Sequence, residues 1–255
     1  MLLENAKAIV TGGASGLGLA TAQHIVAAGG QATLLDINDE AGHAAAKALG
    51  NNTRYITTDV SSESAVQEAV TTAAEHMQGI TLAVNCAGIV APGRVLGRDG
   101  PMASDYFART VMINLVGSFN IAKEAANVMQ HNDAEDSGER GVIINTASVA
   151  AYEGQIGQAG YSASKGGVVG MTLPLARELA RFGIRVMTIA PGIFMTPMMA
   201  SLPDEVQQSL AAQIPFPPRL GTAEEYADLA AYIYTNTMLN GETIRLDGGI
   251  RMQPK

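Results

Sequence analysis

The stretch Ala6-Lys7-Ala8-Ile9-Val10-Thr11-Gly12-Gly13-Ala14-Ser15-Gly16-Leu17-Gly18 decides the fold. Its first six residues, apart from Lys7, are small, apolar or β-branched and read as a strand. The glycines from Gly12 to Gly18 then make a tight turn, and from Leu17 to Ala28 apolar residues recur at helical spacing until Gly29-Gly30 stop the pattern. In a strand–glycine turn–helix unit the bare backbone N–H groups and the positive helix end together receive a phosphate-bearing ligand. The spacing Gly12-x-x-x-Gly16-x-Gly18 differs from the commoner Gly-x-Gly-x-x-Gly fingerprint. On these residues alone, an ordinary tight turn between strand and helix stays open.

Outward from this turn, short apolar runs alternate with helical patterns, as in chained βαβ units. Further strands are expected at Ala32 to Asp36, Arg54 to Thr58, Thr81 to Asn85, Val142 to Thr146, Ile184 to Ala190 and Ile244 to Leu246. Helices are expected at Glu40 to Leu49, from the capping serines Ser61-Ser62 to Met77, at Asp105 to Met129 and at Gly160 to Arg181. The polar stretch His131 to Arg140 reads as a solvated loop. Pro191 to Gly221 breaks the alternation and holds six of the ten prolines. A segment of that kind within a compact domain points to a lid or binding loop. The expected architecture is α/β, a Rossmann-type doubly wound parallel sheet of about seven strands with helices on both faces. Residues 1–255 are expected to form one dinucleotide-binding domain, with a substrate lid within about 192–221.

Composition narrows the function classes. Apolar residues make up 47 % of 255, charged residues 16 %, and the formal charge is -8, which excludes a disordered chain. The sixteen basic residues are scattered, so no nucleic-acid partner is expected. The single cysteine, Cys86, and the histidines His24, His43, His76 and His131 show no metal-ligand spacing, so no metal is expected. No apolar run approaches the ~18 residues of a membrane span, and Met1 to Asn5 has no signal-peptide pattern. A cytoplasmic protein is the expectation.

Several residues sit where chemistry can use them. Asp36 ends the second strand about 20 residues past the glycines, where an acid accepts both ribose hydroxyls of NAD and repels the 2′-phosphate of NADP. A plain strand-end aspartate is the other reading. Asp59-Val60 closes the third strand toward the adenine ring. The small residues of Asn85-Cys86-Ala87-Gly88 close the fourth and let a cofactor approach. Tyr161 and Lys165 lie four apart, hence on one helix face. A free tyrosine has a pKa of about 10, and the Lys165 cation together with a nicotinamide ring is expected to lower it toward acid–base duty. Ser148 follows the strand ending at Thr146, at the same sheet edge. Asn114, among Val111, Met112, Ile113 and Leu115, is expected either to hold a water linked to Lys165 or to be a helix-bending or merely satisfied core amide.

The set Thr11-Gly12-x-x-x-Gly16-x-Gly18, Asp59, Asn85-x-Ala87-Gly88, Asn114, Ser148, Tyr161-x-x-x-Lys165 and Pro191-Gly192 resembles the short-chain dehydrogenase/reductase family over essentially the whole chain. The resemblance implies that Tyr161 is the acid/base, Ser148 orients the substrate oxygen, Lys165 holds the nicotinamide ribose and Asn114 supports a proton relay. Gly141 to Ala151, Ser162 to Pro174, Ile184 to Gly192 and Arg245 to Met252 are similar to a branch of that family that oxidises 3-hydroxyacyl-CoA thioesters and tolerates branched acyl chains and steroid alcohols. That branch implies NAD, a homotetramer, and cofactor contacts from Ser15, Leu17, Cys86, Phe194 and Thr196. Gln155 and Gln158 are expected near a thioester carbonyl. The chain departs from the branch around Ala91 to Ser104, which is shorter, and at Phe194-Met195-Thr196, both beside the substrate cleft. Two alternatives are an NADPH-dependent 3-oxoacyl-carrier-protein reductase, which Asp36 opposes, and a non-enzymatic dinucleotide-binding scaffold, which the complete Ser148, Tyr161 and Lys165 set opposes.

Overall fold

Val142, Ile143 and Ile144 are all fully buried although successive strand side chains point to opposite faces. A strand this apolar belongs at the centre of a sheet covered on both sides. The structure, a computed structural model, describes residues 1–98, 100–200 and 203–254. Its main sheet contains β1 (Lys7–Thr11), β2 (Gln31–Asp36), β3 (Thr53–Thr57), β4 (Leu82–Asn85), β7 (Gly141–Thr146), β8 (Ile184–Pro191) and β9 (Thr243–Leu246). A separate antiparallel pair, β5 (Leu96–Gly97) and β6 (Gly100–Pro101), stands outside it. The spatial order of the sheet is β3-β2-β1-β4-β7-β8-β9, with every neighbouring pair parallel.

The helices are α1 (Gly16–Ala27), α2 (Asp39–Leu49), α3 (Glu63–Met77), α4 (Ser104–Val111), α5 (Gly117–Met129), α6 (Ala159–Leu179), α7 (Pro197–Ala200), α8 (Asp204–Ala211) and α9 (Ala223–Thr235). Alternate residues of each strand feed two cores. Val10, Leu34, Val84 and Ile144 pack with Ile25 of α1 and Ala230 and Ile233 of α9. Ile9, Leu35, Ala83 and Ile143 pack with Val66 and Val70 of α3 and Ile121 and Ala125 of α5. Burying each such side chain contributes roughly 1.5–3 kcal/mol. After β3 the chain crosses to the other side of β1. The carboxyl ends of β1 and β4 therefore diverge into the crevice where open α/β sheets bind ligands.

The seven expected strands are found, with ends differing by a residue or so. Four readings need correction. The helix expected over Asp105 to Met129 is broken by a π-helical turn, Met112–Val116. Pro191 to Gly221 is not wholly irregular, since α7 and α8 lie within it; Ser201 and Leu202, inside the expected lid, fall outside the described residues. A helix unforeseen in the sequence, α9, is started by a reciprocal cap: Glu225 N–H donates to Thr222 Oγ1 (3.4 Å) and Thr222 N–H to Glu225 Oε2 (2.9 Å). The loop His131 to Arg140 is not simply solvated. Glu139 is 5 % exposed and accepts from Arg185 Nε at 2.5 Å, and Asn132 Nδ2 donates to Ile80 and Arg140 carbonyls.

Candidate active site

The glycine turn works through what it lacks. Gly12 has φ 62° and lies so close to β4's exit that a Cβ there would meet Ala87 N at 2.9 Å. A Cβ on Gly18 would run into the Gly12 carbonyl. Nothing bulkier fits between β1, α1 and the loop after β4. The turn opens onto a cleft of about 660 Å³. Gly12, Ser15, Gly16, Leu17 and Gly18 line one side, and Cys86, Ala87 and Gly88 line the other. Ser15 is the N-cap of α1 and gives no side-chain cap bond, which leaves its hydroxyl and the helix's first N–H groups to a ligand.

Asp36 stands in the cleft wall, its Oδ2 accepting from Ala14 N–H (3.2 Å) and its Oδ1 from Asn38 N–H (3.1 Å). Asp59 and Val60 line the same cleft. Asp59 Oδ1 takes Ser61 N–H and Oγ–H at 2.9 and 2.6 Å, while Val60 packs so tightly on α5 that a Cβ on Gly117 would meet its Cγ2 at 2.7 Å. Asn85 is placed differently. It is 2 % exposed, and its amide donates to Asn145 Oδ1 and the Ser118 carbonyl, tying β4 to β7 and α5 beneath the site.

The second group stands on β7 and α6. Ser148 caps a short 3₁₀ turn after β7, its Oγ accepting from Ala150 N–H at 3.1 Å. The Ser148 hydroxyl lies near enough to the Tyr161 phenol to bear on its ionisation. Lys165, one helical turn on, is 5 % exposed; its Nζ donates to the Thr146 carbonyl at 2.7 Å and lies 5.9 Å from the Tyr161 ring centroid. In the ligand-free protein burial pushes the Tyr161 phenol above its ordinary value, the Ser148 hydrogen bond opposing that, and Lys165 is not among the causes. Burial also brings Lys165 down to about 8, with the Cys86 thiol pulling the other way.

Asn114 occupies the π turn and is fully buried. Its Oδ1 accepts from Ile89 N–H (2.8 Å), while its Nδ2 donates to the Ile89 carbonyl (2.9 Å) and Ser164 Oγ (3.1 Å). These bonds satisfy the side chain where the helix bends. It still borders Lys165 across Gly88, where a Cβ would meet Asn114 Oδ1 at 3.1 Å and Lys165 Nζ at 3.6 Å.

Pro191 and Gly192 end β8 against the far strand, with Gly192 N–H donating to the Leu246 carbonyl. Phe194 turns its ring over Gly221 and into the core at 7 % exposure. Thr196 does reach the cleft and, with Pro197, sits over Gly16. Gln155 and Gln158 bond one another, and Gln155 Nε2 donates to the Gln253 carbonyl. Two features escaped the sequence reading. Ile37, Ile89, Arg109 and Ile113 also line the cleft; Ile37 and Ile113 stand next to the recognised Asp36 and Asn114, whereas Arg109 gave no signal. Tyr226 of α9, fully buried, closes a ring with Thr146 Oγ1 (2.7 Å) and Cys86 Sγ (3.6 Å), which in turn accepts from Thr146 at 3.6 Å.

Comparison with known proteins agrees with this geometry. The family described as short chain dehydrogenase matches residues 6–207. The chain is 54 % identical over 249 residues to bovine (Bos taurus) 3-hydroxyacyl-CoA dehydrogenase type-2, covering 97 % of this chain and 95 % of that protein. It is 49 % identical over 255 residues to the Drosophila melanogaster protein of that name, covering 99 % and 100 %. The crystal structure of 3-hydroxyacyl-CoA dehydrogenase type-2 from Mycobacterium avium superposes with a TM-score of 0.93 at 43 % identity, covering 99 % of this chain and 98 % of that one.

Proposed function

Because the chain belongs to the short-chain dehydrogenase family and is an oxidoreductase, we propose that it interconverts a secondary alcohol and a ketone with NAD, its substrates being 3-hydroxyacyl-CoA and 3-oxoacyl-CoA thioesters. The observation that carries this reading is Lys165, buried one turn from Tyr161 with its Nζ 5.9 Å from that ring's centroid and on the Thr146 carbonyl two residues before Ser148, beside a glycine-lined cleft. A dinucleotide fits the donor set: backbone that tolerates no Cβ at Gly12 or Gly18, a helix N-terminus behind it, and a carboxylate at Asp36 for the ribose.

When bound, the dinucleotide supplies the acceptor for the carbinol hydride. Ser148 fixes the substrate oxygen by hydrogen bonding. Tyr161 takes the hydroxyl proton in oxidation and returns it in reduction. Lys165 holds the ribose and adds positive charge beside the phenol, and a bound nicotinamide ring would add its own. Thr196 and Pro197 over Gly16 support a lid within about 192–221. Exposed Tyr106, Phe107, Met112 and Phe119 on α4, the π turn and α5 support self-association into a homotetramer. Among the described residues no helix is long and apolar enough to cross a membrane.

The test is the absorbance of reduced nicotinamide, read with purified protein, NAD or NADP, and 3-hydroxyacyl-CoA of increasing length, 2-methyl-branched thioesters and hydroxysteroids. Turnover of thioesters with NAD supports the reading. Preference for NADP removes the Asp36 argument, and turnover of steroids alone removes the thioester assignment. Sedimentation at four times the chain mass of 26.4 kDa checks the tetramer.

A further inference from the structure

Ser148 and Tyr161 stand on different elements, and the chain between them is a loop over residues 152–158 with little regular structure of its own. Something must hold that loop if the two hydroxyls are to stay in register. The contacts come from the far end of the chain. Arg245, on β9, donates from Nη1 to Glu153 Oε1 at 2.7 Å and from Nη2 to Glu153 Oε2 at 2.8 Å. This is the fork-to-carboxylate geometry that fixes both partners in one plane. The same guanidinium donates from Nε to Asp247 Oδ2 (2.7 Å) and from Nη2 to the Ile250 carbonyl (3.1 Å), and it lies 5.1 Å from the centroid of the Tyr152 ring. Arg251 reaches Asp247 Oδ2 at 3.2 Å. Beyond these charges, Gln155 Nε2 donates to the Gln253 carbonyl and Ile156 N–H to the Pro254 carbonyl, both at 3.0 Å. On the loop's other flank Gly93 N–H donates to the Gly157 carbonyl at 2.8 Å.

We propose that Arg245 and Glu153 are positioning residues for the reaction: the carboxyl-terminal tail clasps the 152–158 loop and so sets the Ser148 hydroxyl against Tyr161 and the substrate oxygen. The proposal rests on the alcohol–ketone reading of Ser148 and Tyr161. Neither residue touches the reacting atoms. Glu153 follows the 3₁₀ turn Val149–Ala151 that Ser148 caps, and its N–H donates to the Val149 carbonyl at 3.0 Å. A shift of Glu153 therefore passes through one turn into Ser148. The Arg245 contact holds the Glu153 carboxyl below the usual carboxylate range, so the pair stays ionised throughout the neutral region. Tyr152 and Ile156, on the same loop, expose apolar surface that the clasp keeps in place.

The experiment is a double-mutant cycle of Glu153→Gln with Ser148→Ala, reading kcat, substrate KM, dinucleotide affinity and melting temperature. Glu153→Gln keeps the shape and loses the paired charge. Misplacing a positioned group by about an ångström costs up to ~100-fold, so kcat should fall by roughly 10- to 100-fold while dinucleotide affinity stays within twofold. In the Ser148→Ala background the same change should cost less than about twofold, because the group it positions is gone. Equal losses in both backgrounds, or an unchanged kcat in the single variant, overturn the clasp. A Ser148→Ala enzyme as fast as the wild type instead overturns the assignment of Ser148, and the clasp falls with it. If Glu153→Gln does not fold, Arg245→Lys keeps the charge, removes the fork, and must show the same pattern.

Discussion

The carboxyl edge of this sheet is built in two ways. On the β1 to β4 side it is bare backbone: Gly12 and Gly18 bring chain so close to chain that a single carbon has no room. On the β7 to β9 side it is polar groups: Lys165, buried, on the Thr146 carbonyl, Tyr226, buried, in its ring with Thr146 and Cys86, and the half-buried pair of Arg245 and Glu153. The first half is specified chiefly by the absence of side chains. The second is specified by charge and hydrogen bonds taken out of water, so its behaviour depends on pH and on what fills the cleft.

The sharpest way to separate the halves is Tyr161→Phe. It removes one hydroxyl from the polar half and leaves the glycine half intact, so turnover should fall by ~10²–10⁴-fold while dinucleotide binding, followed by nicotinamide fluorescence, persists. Loss of both together would mean that the halves are not independent.

Lys165→Met should abolish turnover and yet stabilise the folded chain at neutral pH. Lys165 drops from 10.5 to about 8 on folding because it is buried, and each pKa unit is worth about 1.4 kcal/mol. Below pH 8 folded and unfolded chains both carry the proton and the fold bears the whole cost, about 3 kcal/mol on that scale. Between 8 and 10.5 the folded lysine sheds a proton that the unfolded chain keeps, so the cost declines and wild-type stability rises relative to the variant. Melting curves of the two proteins across that range should converge; a constant gap contradicts the buried charge.

Two smaller effects belong to the glycine half. Asp36→Ala removes hydrogen bonds to a charged acceptor, worth about 1.5–3 kcal/mol, so the kcat/KM preference for NAD over NADP should narrow by roughly 10- to 100-fold. Gly18→Ala forces a carbon against the Gly12 carbonyl at a strain of ~1–3 kcal/mol. It should raise the dinucleotide KM and lower the melting temperature without moving the pH profile of kcat. A moved pH profile would mean that the glycine turn also feeds the proton-transferring groups.

The same division explains what the sequence could disclose. The glycine half is written in contiguous residues, so β1, the turn, α1 and Asp36 are readable from pattern alone, and the alternation of apolar runs yields all seven strands. The Ser148, Tyr161 and Lys165 group is readable because its spacing fits a strand end and a helix face. What stays hidden is non-local. Glu139 looks like one more charge in a polar loop until Arg185 is beside it, and nothing near Glu153 announces Arg245. The π turn at Asn114 leaves no pattern in Val111 to Leu115. The helix α9 did carry a signal, Thr222-x-x-Glu225 ahead of Tyr226, Ala227, Ala230 and Ile233, masked by the proline-rich stretch before it.

The account turns on Tyr161 as the proton-transferring group whose ionisation is tuned by a filled site. The direct measurement is an NMR titration of ring-labelled tyrosine, assigned with Tyr161→Phe, in the ligand-free protein and with saturating NAD. The account predicts a Tyr161 pKa above the ordinary value of about 10 without ligand, in line with its burial, and a value below it with NAD bound. A phenol that stays above 10 in the complex would contradict the assignment of Tyr161 as the base.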